Sequence, residues 1–231
     1  MNRFCTALAL TFLIFANAHS EETANPPVCL LTGFQPFGGA KRNPSWETVR
    51  KLNGETVAGY KVVSVELPVV YDEMEAPLID AIKVNKPAMI ICFGQGGDVL
   101  SLEQTARNGY HPAKPPDNLG KPPPRTQIVP DGPAEKPSTL PVEEIMKSLK
   151  EAKIGAQSST DAGGYLCNEC FYRLMTFAKE GADGIQARGF VHVPRFGVHD
   201  PEGGIYTPEK VLAAVKIIVT VTAKFRAKSP K

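Results

Sequence analysis

Along the chain, short runs in which nearly every residue is apolar alternate with stretches in which apolar residues recur every three or four positions. Val28-Cys29-Leu30-Leu31-Thr32, Pro87-Ala88-Met89-Ile90-Ile91-Cys92-Phe93 and Gly189-Phe190-Val191-His192-Val193-Pro194 are of the first kind. Continuous runs of this length predict strands buried on both faces of a parallel sheet. Lys61 to Leu67 places Val62, Val63, Val65 and Leu67 in a further strand, and Ala156 to Thr160 is a shorter β-prone piece. Helical spacing fills the intervals. One helix opens at Asn43-Pro44, with Asn as N-cap and Pro in the first position, and closes at Gly54. An amphipathic helix runs from about Asp72 to Val84, and another starts within Ser138-Thr139-Leu140-Pro141-Val142-Glu143-Glu144 and ends near Gly155. A fourth carries Phe171, Leu174, Met175 and Ala178. A long C-terminal helix is capped by Thr207-Pro208-Glu209-Lys210 and holds Val211, Ala214, Val215 and Ile218 on one face.

Strands and helices alternating in this way predict a three-layer α/β/α fold, an open, twisted, mainly parallel sheet with helices on both faces. Ligands in such sheets sit beyond the carboxyl ends of the strands. Three segments follow strands directly: Gly33-Phe34-Gln35-Pro36-Phe37-Gly38-Gly39, Gly94-Gln95-Gly96-Gly97 and the approach to Cys167. They are expected to meet at one edge of the sheet. Between Leu100 and Asp131 the pattern lapses into a proline-rich loop, read as the rim of a site because long loops in compact domains are usually functional or disordered.

The first twenty residues break with the rest. Met1-Asn2-Arg3 gives a positive start, Phe4 to Ala16 an apolar run, and Ala16-Asn17-Ala18 or Ala18-His19-Ser20 small residues for cleavage. We read residues 1–20 as a secretory signal peptide, 21–27 as a polar spacer and 28–231 as a single α/β domain. A largely apolar run of thirteen residues falls short of the roughly 20 that span a bilayer, so the chain is expected to be exported, to the periplasm or beyond, with no membrane partner after cleavage. A net charge of +2, from 26 basic and 24 acidic residues spread along the chain, offers nucleic acid no basic stripe. Five cysteines become four after cleavage: Cys29, Cys92, Cys167 and Cys170. Cys29 and Cys92 lie in apolar strands and read as buried free thiols. The Gly94–Gly97 turn lacks the spacing of a dinucleotide fingerprint and the Lys-Ser/Thr of a phosphate loop.

Cys167 follows a glycine pair and heads a helix. There the free N–H groups and positive dipole end stabilise negative charge on sulfur and can receive an oxyanion. A cysteine nucleophile also needs a histidine to pass its proton to a leaving amine and a group to orient that histidine. His19 leaves with the signal peptide, while His111 and His199 lie in loops; His192, at the end of a parallel strand, is the best-placed partner. Glu103 and Asp161 both remain open as the orienting acid.

Taken together, these stretches resemble the pyroglutamyl-peptidase I (pyrrolidone-carboxylate peptidase) family of cysteine peptidases. The resemblance is carried in order by Leu31 to Gly39, Asn43-Pro44-Ser45-Trp46, Leu67-Pro68-Val69, Gly94-Gln95, Glu103, Asn108, Pro116-Asp117-Asn118, Ser138 to Pro141, Asp161 to Asn168 and Gly189 to Pro194. It implies Cys167 as nucleophile, His192 as general acid and base, and Glu103 rather than Asp161 as the orienting acid. It also implies that Phe34 and Phe37 flank a lactam ring, that Gln95 holds the ring amide, and that Tyr165 and Leu166 wall the pocket. The implied substrate is a peptide with an N-terminal pyroglutamate, hydrolysed without metal or cofactor. Members are often dimers or tetramers, so a homo-oligomer is also in view. Two features depart from the family: Asp98 follows Gly96-Gly97 where many members carry an arginine, and members typically lack signal peptides.

Two other classes fit parts of the chain. Cys167-Asn168-Glu169-Cys170 has the spacing of a thiol-disulfide oxidoreductase, and an intact pocket with an oxidised nucleophile would make a non-catalytic binder of capped peptides. An exported enzyme could also be silenced by a Cys167–Cys170 bridge, unless Cys170 points into the core beside Leu174.

Overall fold

The computed structural model describes residues 25–177 and 184–228. The segment read as a signal peptide, the first four residues of the spacer, Ala178 and the last three residues of the domain lie outside them. In chain order the elements are β1 (Val28–Phe34), α1 (Pro44–Val49) with a 3-10 turn at Arg50–Leu52, β2 (Thr56–Val57), β3 (Tyr60–Leu67), α2 (Glu75–Asn85), β4 (Met89–Gln95), β5 (Leu100–Glu103) and β6 (Thr105–Arg107). There follow β7 (Glu135–Pro137), α3 (Val142–Glu151), β8 (Ala156–Ser159), α4 (Leu166–Phe177), β9 (Ala187–Val193) and α5 (Pro208–Lys228).

Seven strands form one sheet in the order β2-β3-β1-β4-β9-β5-β8, so the three continuous apolar runs occupy its centre. Side chains alternate between two cores, as the period of two requires. From β1 and β4, Cys29, Leu31, Met89, Ile91 and Phe93 face one core, which is closed by Val49 of α1, Leu149 of α3 and Val215 of α5. Leu30, Ile90 and Cys92 face the other, closed by Leu78 of α2 and by Cys170, Phe171 and Leu174 of α4. The expected layers are therefore present. Ile90 and Ile91 are fully buried on opposite faces, and removing either side chain to Cβ should cost about 2–5 kcal/mol.

The sheet is mixed. The pairs β1–β3, β1–β4, β4–β9 and β5–β8 are parallel, whereas β2 and β5 run antiparallel to β3 and β9. The segment expected to be irregular thus begins with a strand: Leu100 and Leu102 are buried in the first core while Ser101 and Glu103 turn to the other face. Two helix starts also differ from expectation. Asp72 adopts φ +60 and its carboxylate pairs with Arg125, so α2 begins three residues later. Ser138 and Thr139 do not cap α3: the Thr139 hydroxyl accepts from Arg188 N at 2.9 Å, binding this stretch to β9, and Pro141 takes the cap position.

Candidate active site

The loop from β8 to α4 turns through Gly163 and Gly164, at φ +88 and +67, a region that side chains with a Cβ rarely enter. Asp161 fixes the turn by accepting from Gly163 N at 2.9 Å. The first bond of α4 is Glu169 N to Tyr165 O, 3.0 Å, so the N–H groups of Leu166, Cys167 and Asn168 have no acceptor within the helix. Asn168, buried, fixes the helix start from outside: its Oδ1 accepts from Arg107 N and its Nδ2 donates to the carbonyls of Arg107 and Gly109 at 2.8 and 2.9 Å.

His192 lies on β9 and faces the same side as Phe190, which pairs with Glu103 of β5. Glu103 and His192 are therefore diagonal neighbours across an antiparallel pair, within reach of long side chains. The His192 Nδ1 to Glu103 Oε1 distance is 2.8 Å, and Glu103 is 1% exposed. Burial opposes charge on the imidazole, but the Cys167 sulfur and the Glu103 carboxylate outweigh it and push His192 up to about 10. Asp161 instead stands on the surface, 3.3 Å from Arg107. Of the two acids left open by the sequence, the fold brings Glu103 to the histidine. His111 is exposed on the proline-rich loop, where its Nδ1 accepts from Ala113 N.

Two glycines make room for this contact. A Cβ on Gly94 would stand 2.7 Å from Cys167 Sγ, and one on Gly96 would stand 2.6 Å from His192 Cβ. The Gly94–Gly97 turn is thus explained by close packing behind Cys167 and His192.

Cys167 sits between two hollows. On one side a narrow slot is lined by Phe34, Phe37, Gln95, Tyr165 and Leu166, together with Asn43 and Val69. The Phe37 and Tyr165 rings are 6.3 Å apart, and Tyr165 is braced edge-on by Tyr71 and by donation from its hydroxyl to Pro116 O at 3.1 Å. No charged side chain lines this slot, which suits a neutral amide-bearing ring. Adjoining it at Phe37, Gln95, Tyr165 and Cys167, an open cleft of about 500 Å³ reaches past His192 and Glu103 to Ser101, Gln157, Ser159 and Lys114.

Several contributors were not evident in the sequence. The proline-rich segment is pinned in place: Asp117 is buried and accepts from Tyr71 N, Leu119 N and Lys121 N, while Asn118 Nδ2 donates to Pro36 O. Two residues beyond Cys167, Glu169 is fully buried and neither of its carboxylate oxygens accepts a well-formed hydrogen bond. Burial pushes its carboxyl up to about 7, against the facing Tyr110 hydroxyl and an Arg173 Nε 3.9 Å away. Asp98, the departure from the family pattern, pairs at 2.9 Å with Arg195 from the loop after β9. Cys170 lies in the core beside Cys92, where burial raises its thiol well above the ordinary value. Among the described residues, no cluster of three or more His, Cys, Asp or Glu could hold a metal ion, and no helix is long and apolar enough to cross a membrane.

A family model described as pyroglutamyl peptidase matches residues 28–225. A pyrrolidone-carboxylate peptidase of Bacillus licheniformis is 39% identical over 191 residues, 82% of this chain and 86% of that protein. Its counterpart in Klebsiella pneumoniae is 42% identical over 167 residues, 71% of this chain and 77% of that protein. The crystal structure of Bacillus amyloliquefaciens pyroglutamyl peptidase I superposes with a TM-score of 0.78 at 35% identity, covering 87% of this chain and 98% of that one. From the alternating strands to the cysteine-headed helix and these matches along nearly its whole domain, the chain belongs to the pyroglutamyl peptidase family.

Proposed function

We propose that this protein removes N-terminal pyroglutamate from peptides, with Cys167 as nucleophile, His192 as proton carrier and Glu103 as the group that orients it. The observation that carries this reading is the buried His192–Glu103 contact at 2.8 Å, with Cys167 against the imidazole and an uncharged slot beside the sulfur. Family membership supports the same reaction.

With the lactam flanked by Phe34 and Phe37, walled by Tyr165 and Leu166, and its amide at Gln95, the pyroglutamyl carbonyl carbon meets Cys167 Sγ. Sulfur forms the C–S bond and the carbonyl electron pair moves to oxygen, which the free N–H groups at the start of α4 receive. The intermediate collapses, the C–N bond breaks, and His192 gives its proton to the departing amine. Water then attacks the thioester while His192 takes its proton. Pyroglutamate leaves and Cys167 is regenerated. Glu103 accepts from Nδ1 throughout, so Nε2 is the nitrogen that exchanges protons.

Release of a fluorogenic amine from pyroglutamyl coumarinylamide, with insulin reduction measured alongside, tests the reading. Turnover that is lost in Cys167→Ala, without insulin reduction, is expected. Turnover retained by Cys167→Ala would overturn it. Export of the mature domain after cleavage near residue 20 is a further part of the proposal, checked by the N-terminal sequence of protein recovered outside the cytoplasm. Assembly into a homo-oligomer is checked by light scattering.

A further inference from the structure

The slot on the acyl side is narrow, whereas the open cleft that adjoins it at Phe37, Gln95, Tyr165 and Cys167 holds about 500 Å³. The chemistry at sulfur makes no use of its far wall. Apart from Glu103, which is bonded to His192, its floor is uncharged: β5 and β8 turn Ser101, Gln157 and Ser159 toward it, and Gln157 Nε2 donates to Ser101 Oγ at 3.0 Å. Two acids stand at the rim, each paired with an arginine, Asp98 with Arg195 at 2.9 Å and Asp161 with Arg107 at 3.3 Å, the latter shared with Glu135. Lys114 is different. It is half-buried on the pinned proline-rich loop, lines the cleft, and has no ion pair among the described residues. Its Nζ lies 3.6 Å from where a Cβ on Gly163 would stand, four residues before Cys167.

With the pyroglutamyl ring in the slot, the departing amine must lie in this cleft. The hydroxyl and amide floor can bond to a peptide backbone without selecting a side-chain charge. The unpaired lysine adds attraction for negative charge on the leaving part. Each residue adds at most ~3.5 Å of reach, so a carboxylate close behind the scissile bond falls within the cleft and a distant one does not. In a peptide of two or three residues that carboxylate is the C-terminus.

We propose that Lys114 binds the C-terminal carboxylate of short substrates, making pyroglutamyl di- and tripeptides with a free carboxyl end the preferred class. This rests on hydrolysis at Cys167. Its test compares kcat/KM for pyroglutamyl-alanyl-alanine and for the same peptide with a C-terminal amide, in wild type, Lys114→Met and Lys114→Arg, with pyroglutamyl coumarinylamide as a carboxylate-free reference. A partly buried charged pair supports a preference of at least about threefold for the free acid. That ratio should fall to about one in Lys114→Met, persist in Lys114→Arg, and shrink with added salt. Because the ratio is taken within each protein, a loss of folded enzyme does not alter it. Equal rates on acid and amide in wild type, or a preference that Lys114→Met keeps, would overturn the proposal while coumarinylamide turnover leaves the hydrolase reading intact. Absence of turnover on all three substrates would overturn both.

Discussion

Glu169, buried two residues beyond the nucleophile, couples the stability of this region to pH. The perturbation is Glu169→Gln, which keeps the side chain's shape and removes its charge. Burial raises the carboxyl from an ordinary 4.5 to about 7, with Arg173 and Arg125 countering and Asp72 reinforcing that rise. At about 1.4 kcal/mol for each factor of ten, the ionised form costs the fold about 3 kcal/mol. The sign follows from linkage. Below pH 4.5 the group is protonated in both states and contributes nothing. Between 4.5 and about 7 the unfolded chain ionises while the folded one stays protonated, so stability falls as pH rises, and above 7 the whole penalty is present. Denaturant unfolding of both proteins at pH 5 and pH 8 measures it. Relative to the mutant, wild type should lose about 2 to 3 kcal/mol between the two conditions. A stability difference that does not change with pH would refute the reasoning and mean that the carboxylate is solvated or paired in the folded protein.

Three further outcomes follow from the site. Phe37→Ala should lower kcat/KM by an amount equivalent to about 1–3 kcal/mol through lost apolar contact with the lactam; an unchanged value would make the Phe37 loop structural only. Gly96→Ala puts a methyl group where His192 Cβ already stands at 2.6 Å, so kcat should drop by about 100-fold with circular dichroism unchanged, and wild-type kcat would show that the turn yields freely. Because the Cys167 sulfur and Glu103 hold the imidazole's proton up to about 10, kcat/KM should persist well above pH 6.5 and fall as pH nears 10, and a basic limb near 6.5 would contradict the His192–Glu103 ion pair.

What was legible in the sequence was what local pattern determines. Continuous apolar runs located β1, β4 and β9, and the glycine pair before an apolar helical pattern placed Cys167 at the start of α4. The strand β5 was missed because it is only four residues long and lies beside prolines, although the alternation Leu100-Ser101-Leu102-Glu103 carries a period of two that matches its burial. That omission mattered, since antiparallel pairing of β5 with β9 is what sets Glu103 diagonal to His192. Asp72 could not be recognised as lying outside its helix, because the left-handed turn there is held by Arg125 from more than fifty residues away. The burial of Glu169 and the isolation of Lys114 among paired charges are likewise tertiary facts: each depends on which distant side chains arrive beside it.

The central claim is that Cys167 carries the pyroglutamyl group between two chemical steps. Rapid acid quenching during turnover of a pyroglutamyl amide, followed by peptide mass measurement, tests it directly. The expected result is a mass increase of one pyroglutamyl group confined to the peptide that contains Cys167, absent from Cys167→Ala, which also fails to turn over. Steady turnover with no adduct on Cys167, and with Cys167→Ala still active, would contradict it.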